Sequence, residues 1–217
     1  MKRLFLIVIV ALLLSPSSSF ATGKDIVVDE DYKIVEADVL VEKGYQHAFK
    51  GEFDDAIEAY NAAIALDPDF AMAYNYRGHI YYLQRKYEEA IEDFNKAIAI
   101  DPKDPLHYTN RGEAYTDKHL YDKAIEDFNK AISLSPNDAD IYNYRGYAYD
   151  KKGLHDRAIE DFDKAISLDP DVPSMYINRG VAYLTKGDKA HAAADFQKAC
   201  KMKINSACNM LKGLDQP

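Results

Sequence analysis

The sequence predicts an all-α fold, a solenoid of five tandem helix-turn-helix hairpins followed by a C-terminal capping helix. Three observations predict it. Glycine recurs at 44, 78, 112, 146 and 180, a constant step of 34, and self-similarity at such a period marks stacked repeats. Alanine recurs in the same register at 56, 90, 124, 158 and 192 and again at 63, 97, 131, 165 and 199, with Tyr60, Phe94, Phe128, Phe162 and Phe196 between them. Pro68, Pro102, Pro136 and Pro170 close the first four units.

The N-terminus does not belong to the repeat. Met1-Lys2-Arg3 precedes an unbroken apolar run, Leu4 to Leu14, and then a polar stretch in which Ser19 and Ala21 are the small residues a signal peptidase reads. Residues 1–21 are therefore expected to be an export signal cut after Ala21. The apolar run falls well short of the roughly 20 residues a membrane-spanning helix needs. No cysteine stands nearby for lipid attachment. The mature chain is expected in the periplasm or outside the cell, without stable membrane insertion, and residues 22–36 lead into the first unit.

Each unit reads as two antiparallel helices. Glycine on the first and alanine on the second have almost no side chain, so the two helices can approach closely where they cross. The aromatic residues fill the space beside the crossing. Ala90-Ile91, Phe94, Ala97-Ile98 and the matching block from Ala124 to Ile132 have the three-and-four spacing of an amphipathic helix. Asp-Pro or Ser-Pro then stops it, because proline disfavours helix in the residue before it. Asp54, Glu88, Asp122 and Asp156 are placed to cap the second helices, and Pro105 and Pro173 suit a first helical turn.

The pattern of small, aromatic and proline positions resembles the tetratricopeptide repeat family over residues 37–206. The units run 37–70, 71–104, 105–138, 139–172 and 173–206. The resemblance implies a right-handed superhelix whose first helices line a concave surface that binds another protein or peptide. Three features depart from the family pattern, one being that the fifth unit ends at Ile204 where the others have proline. Arg77, Arg111, Arg145 and Arg179 stand where leucine is common before the glycine, and Tyr74, Tyr108, Tyr142 and Tyr176 replace tryptophan.

Those arginines have a candidate partner sixteen residues on, at Asp93, Asp127, Asp161 and Asp195, across the hairpin of the same unit. The groove itself is expected to present Tyr45, Asn75, Tyr76, His79, Asn110, Glu113, Asn143, Tyr144, Tyr147 and Asn178, with Val41, Phe49, Leu83, Asp117 and Lys151 beside them. Tyrosine offers large contact area with few rotatable bonds, and asparagine can pair with an extended backbone. The lysine, asparagine and arginine set with which some family members clamp a C-terminal carboxylate is not matched here. Starting that pattern at the second unit gives Asn75, His79, Asn110, Asp140 and Tyr144, of which only Asn110 fits.

Cys200 and Cys208 lie eight residues apart around a predicted turn, ahead of the cap and tail at 207–217. Two readings stay open for them: a disulfide, and two small buried residues that seat the closing helix.

Charge and composition narrow the function. The formal charge of −9 falls to −11 once Lys2 and Arg3 are removed with the signal, which disfavours nucleic acid. The six histidines show no metal-ligand spacing, no glycine loop cradles phosphate, and no catalytic constellation stands out, so neither enzyme, metal nor cofactor is expected. The expectation is an interaction scaffold for an envelope protein or peptide. The alternatives are a self-assembling structural protein that forms homo-oligomers, and an accessory subunit of an envelope enzyme.

Overall fold

A computed structural model describes residues 30–214; the expected signal and most of the lead-in lie outside the described residues. Eleven helices follow one another with no strand among the described residues. They are α1 (Glu30–Phe49), α2 (Phe53–Leu66), α3 (Ala71–Leu83), α4 (Tyr87–Ile100), α5 (Pro105–Asp117), α6 (Tyr121–Leu134), α7 (Ala139–Lys151), α8 (His155–Leu168), α9 (Pro173–Thr185), α10 (Lys189–Lys201) and α11 (Asn205–Leu214). The pairs α1/α2 to α9/α10 are the five hairpins, and α11 packs on α10. Helix α1 starts at Glu30, inside the segment expected to lead in.

The core is the repeat read in three dimensions. Ala56, Ala90, Ala124, Ala158 and Ala192 are fully buried, as are Phe94 and Phe162, with Tyr60, Phe128 and Phe196 at 1% exposure. Each repeat glycine lies against the ring of its aromatic partner. A methyl group added at Gly112 would lie 2.7 Å from the Phe128 ring, closer than carbon atoms tolerate.

The turn inside each hairpin contains a second series that the repeat reading did not include. Gly51, Arg85, His119, Gly153 and Gly187 all have positive φ, between 59° and 86°, and again step by 34. Between α3 and α4 the Arg85 amide donates to the Tyr82 carbonyl and the Lys86 amide to the Tyr81 carbonyl. That is a left-handed helix terminus, which glycine adopts most easily.

The acids at the heads of the second helices do not cap as expected. The N-cap residues are Glu52, Lys86, Leu120 and Leu154, none with a side-chain cap bond. Asp54, Glu88, Asp122 and Asp156 sit inside the first turn, where the helix dipole still favours them. Three of them instead reach the next unit: Lys118 pairs with Glu88, Lys152 with Asp122 and Lys186 with Asp156. Side-chain capping occurs instead at α5, where Asp104 accepts from the Leu106 amide at 2.8 Å, at α7, where Asp138 accepts from the Asp140 amide at 3.0 Å, and at α10, where Asp188 accepts from the His191 amide at 3.1 Å.

Successive units are also joined through the arginines. Arg111 Nε and Nη2 donate to the two Asp127 oxygens at 2.8 and 2.7 Å, the fork predicted within the unit. Its Nη1 donates to Asn95 Oδ1 of the preceding unit at 2.6 Å, which was not predicted. Arg77 does the same with Asp93 and Asn61, Arg145 with Asp161 and Asn129, and Arg179 with Asp195 and Asp163. Burial pushes the Asp93 and Asp127 carboxyls up, while the arginine hydrogen bonds pull them back down. At the far end Cys200 and Cys208 are joined, with sulfur atoms 2.05 Å apart. Ala207 of α11 is fully buried against Tyr176 and Ala199.

Candidate binding groove

First helices of neighbouring units touch one another, α1 with α3, α3 with α5, α5 with α7 and α7 with α9. Their contact rows define the inner surface, and three hollows open along it. The first, of about 350 Å³, lies across the first three units and is walled by Tyr45, Ala48, Phe49, Tyr60, Tyr76 and Leu83, with Asn75, His79 and Asn110 on its floor and side. A second, of about 220 Å³, lies across the last three units and the end of α3, between Tyr82, Glu113, Asp117, Tyr144, Tyr147 and Asn178. The third, of about 230 Å³, joins them between α5 and α7, where Asn110, Glu113, Asp138, Asp140 and Tyr144 meet.

All ten residues assigned to the groove from sequence line at least one of these hollows. Their contacts divide them by role. Asn75 is only 1% exposed. Its Oδ1 accepts from Asn110 Nδ2 at 3.1 Å and lies 3.1 Å from Nδ1 of the buried His107. It therefore supports the floor and has little to offer a peptide, contrary to the sequence expectation. Asn178 Nδ2 likewise donates to Asn143 Oδ1 at 3.0 Å. Tyr76 lies on Tyr60 of the preceding unit and Tyr144 on Phe128, with ring centres 5.9 and 6.1 Å apart. Val41, expected on the face, is instead buried in the core with Tyr60 and Ile80.

What remains open to a ligand is uneven in character. Tyr45 and Leu83 are about half exposed and Phe49 is 83% exposed, so the first hollow has an apolar rim. The second has carboxylates. Burial, together with Asp117 and Asp140, pushes the Glu113 carboxyl up to about 7. Tyr82, which sequence reasoning missed, donates its hydroxyl to Asp117 at 3.0 Å. Burial first, and Asp117 second, raise its phenol above the ordinary range. His79 faces the first hollow, and burial lowers its pKa.

A signal for the missed contacts was present. Asn75 with Asn110, Tyr82 with Asp117 and Asn143 with Asn178 are all 35 residues apart, one unit plus one residue, the offset at which neighbouring first helices meet. Another grouping escaped the spacing argument because the first hairpin turn folds it together. One ligand atom each from His47, Glu52 and Asp55 lies within 4.8 Å of the others, and His47 Nδ1 is 2.6 Å from Glu52. No helix of the described residues is long and apolar enough to cross a membrane.

Known proteins share this architecture. Models of the tetratricopeptide repeat match residues 41–105, 94–126, 139–172 and 173–203, and a TPR repeat model matches 114–153. Among curated protein sequences none matches. A crystal structure of MamA protein is 31% identical with a TM-score of 0.66, over 77% of this chain and 92% of that one. YrrB, described as a TPR protein with an unusual peptide-binding site, is similar in fold, with 22% identity and a TM-score of 0.65 over 85% of this chain and 95% of its own. PilF of Pseudomonas aeruginosa has 16% identity and a TM-score of 0.73, covering 84% and 90%. With repeat models matching without a gap from residue 41 to 203, and a relative above 30% identity covered almost in full, the chain belongs to the tetratricopeptide repeat family.

Proposed function

We propose that the protein is a non-catalytic scaffold that holds a segment of an envelope protein along its inner face. One observation carries this reading. The ten residues picked out by repeat position alone fall around three adjoining hollows on that face, and concave sites with apolar walls and a few placed polar groups are where ligands bind. The exposed Tyr45, Phe49, Leu83 and Leu106 line the first hollow together, an apolar patch of the kind that marks an interaction surface. Export rests on the leader-like residues 1–21 and fits the paired cysteines, since disulfides persist in oxidising compartments.

Photo-crosslinking decides the matter. A benzophenone amino acid replaces Tyr45, Leu83 or Tyr147 on the inner face, or the exposed Glu160 on α8, and cells are irradiated. The proposal expects one discrete adduct shared by the inner positions and absent at Glu160. Adducts from Glu160 alone would overturn the groove. Mass measurement of the mature protein checks export, which requires loss of the segment from Met1 to Ala21.

A further inference from the structure

The first two hollows are the same site built twice. Moving two units along the chain carries Tyr60 to Phe128, Asn75 to Asn143, Tyr76 to Tyr144, His79 to Tyr147 and Asn110 to Asn178. The frame is kept, with an asparagine pair bridging two units and a tyrosine wedged on the ring of the unit before. Two parts are not kept. Tyr45, Ala48 and Phe49 on α1 become Glu113, Thr116 and Asp117 on α5, and the apolar Leu83 and Leu106 become Lys151 and Ser174.

That exchange changes what each hollow can hold. The first offers a tyrosine, a methyl and a phenyl ring, so it can strip water only from an apolar side chain. The second offers two carboxylates between Tyr82, Tyr144 and Tyr147, whose ring faces attract a cation. Lys151 already stands over the Tyr147 ring at 5.0 Å on the rim. Resting on the groove reading above, we propose that the two hollows are paired subsites for one partner segment, which places an apolar side chain in the first and a lysine or arginine in the second.

Electrostatics agree with this assignment. The groups facing Glu113 are Asp117 on its own helix, Tyr82 from α3, Asp138 ahead of α7, and Asp140 and Tyr144 from α7. No lysine or arginine is among the residues that wall the second and third hollows. A carboxyl pushed up to about 7 by burial first and by Asp117 and Asp140 after it is one that an incoming cation would ionise. Binding therefore releases a proton and tightens as pH rises from 6 to 8.

The probe is a displayed library of random nine-residue peptides selected on the full mature chain at pH 7.5. Recovered peptides are expected to combine Leu, Ile, Phe or Met with Lys or Arg. The best of them should bind roughly tenfold more weakly to Glu113→Gln, the scale of one charge-assisted contact, and unchanged to Glu160→Gln. Replacing its lysine by norleucine should cost little further in Glu113→Gln. The wall exchange Glu113→Tyr with Asp117→Phe should shift selection toward two apolar residues. Thermal unfolding of each variant confirms that it is folded. Peptides that bind the inner face without enrichment of Lys or Arg, or whose lysine contributes equally in both proteins, overturn the pairing and leave the groove reading standing. Peptides that bind Tyr45→Ala, Leu83→Ala and Tyr147→Ala as tightly as the parent overturn both.

Discussion

At the scale of single residues, Glu113 is held in a place that costs the free protein stability. Its folded pKa is about 7 against an ordinary value of 4.5, so folding favours the protonated acid. That contribution is complete below pH 4.5 and is lost as pH rises through 7. Glu113→Gln has no such loss. It should match the parent at pH 4 and exceed it by about 1–2 kcal/mol at pH 8, discounted for partial solvent screening, as read by urea unfolding at the two pH values. Equal stability at pH 8 would mean that the carboxylate is well solvated. A residue that opposes folding where it could have been glutamine is a natural candidate for function.

The elements are where sequence reasoning was strongest and where its gaps are physical. Helix pairing, the glycine contacts and the Arg111–Asp127 fork were legible because each lies within one unit and repeats in register. Contacts between units were not, since they need the offset between neighbouring helices. Asn75 looked like a ligand-binding residue for that reason, although its oxygen is taken by Asn110 and stands beside His107. Arg111→Ala would leave Asp127 buried and unpaired, at a cost of about 3 kcal/mol. Changing Arg111 to Met together with Asp127 to Leu should restore most of it, and chemical denaturation of the three proteins tests the pair. The hairpin turns permit the opposite experiment. Arg85 has a φ of 60° and stands where three other units have glycine, so Arg85→Gly should stabilise by about 0.5–1 kcal/mol. A lower melting temperature would show that Arg85 makes a contact that outweighs its backbone strain.

Across the whole molecule each unit rests only on its neighbours, so stability is a chain of local terms. Among the described residues the first unit has one neighbour, and the last has the unit before it and the closing helix, to which the cysteine bond ties it. Reducing it should lower hydrogen-exchange protection in α10 and α11 by about 2 kcal/mol while leaving α3 to α6 unchanged. A uniform loss along the chain would mean that the solenoid unfolds as one cooperative block. Hairpin architecture and the position of the inner face were readable from the sequence, whereas the division of that face into an apolar and an acidic half required the contacts between units.

The arginine that reaches back to the preceding unit works as a directional connector, plug on one side and socket on the other. Any unit from 71 onward supplies the arginine, and each unit before it supplies the asparagine or aspartate that receives it. A spliced-in copy of residues 105–138 would therefore dock at both ends. It would also set Asn110 of the copy against Thr109, where an asparagine is needed to complete the bridge. A spliced-in copy of residues 105–172 keeps every asparagine bridge and every ring wedge. The backbone can be lengthened by single units, but its inner surface can be lengthened only by pairs, which makes two units together the natural step for tuning the reach of this scaffold.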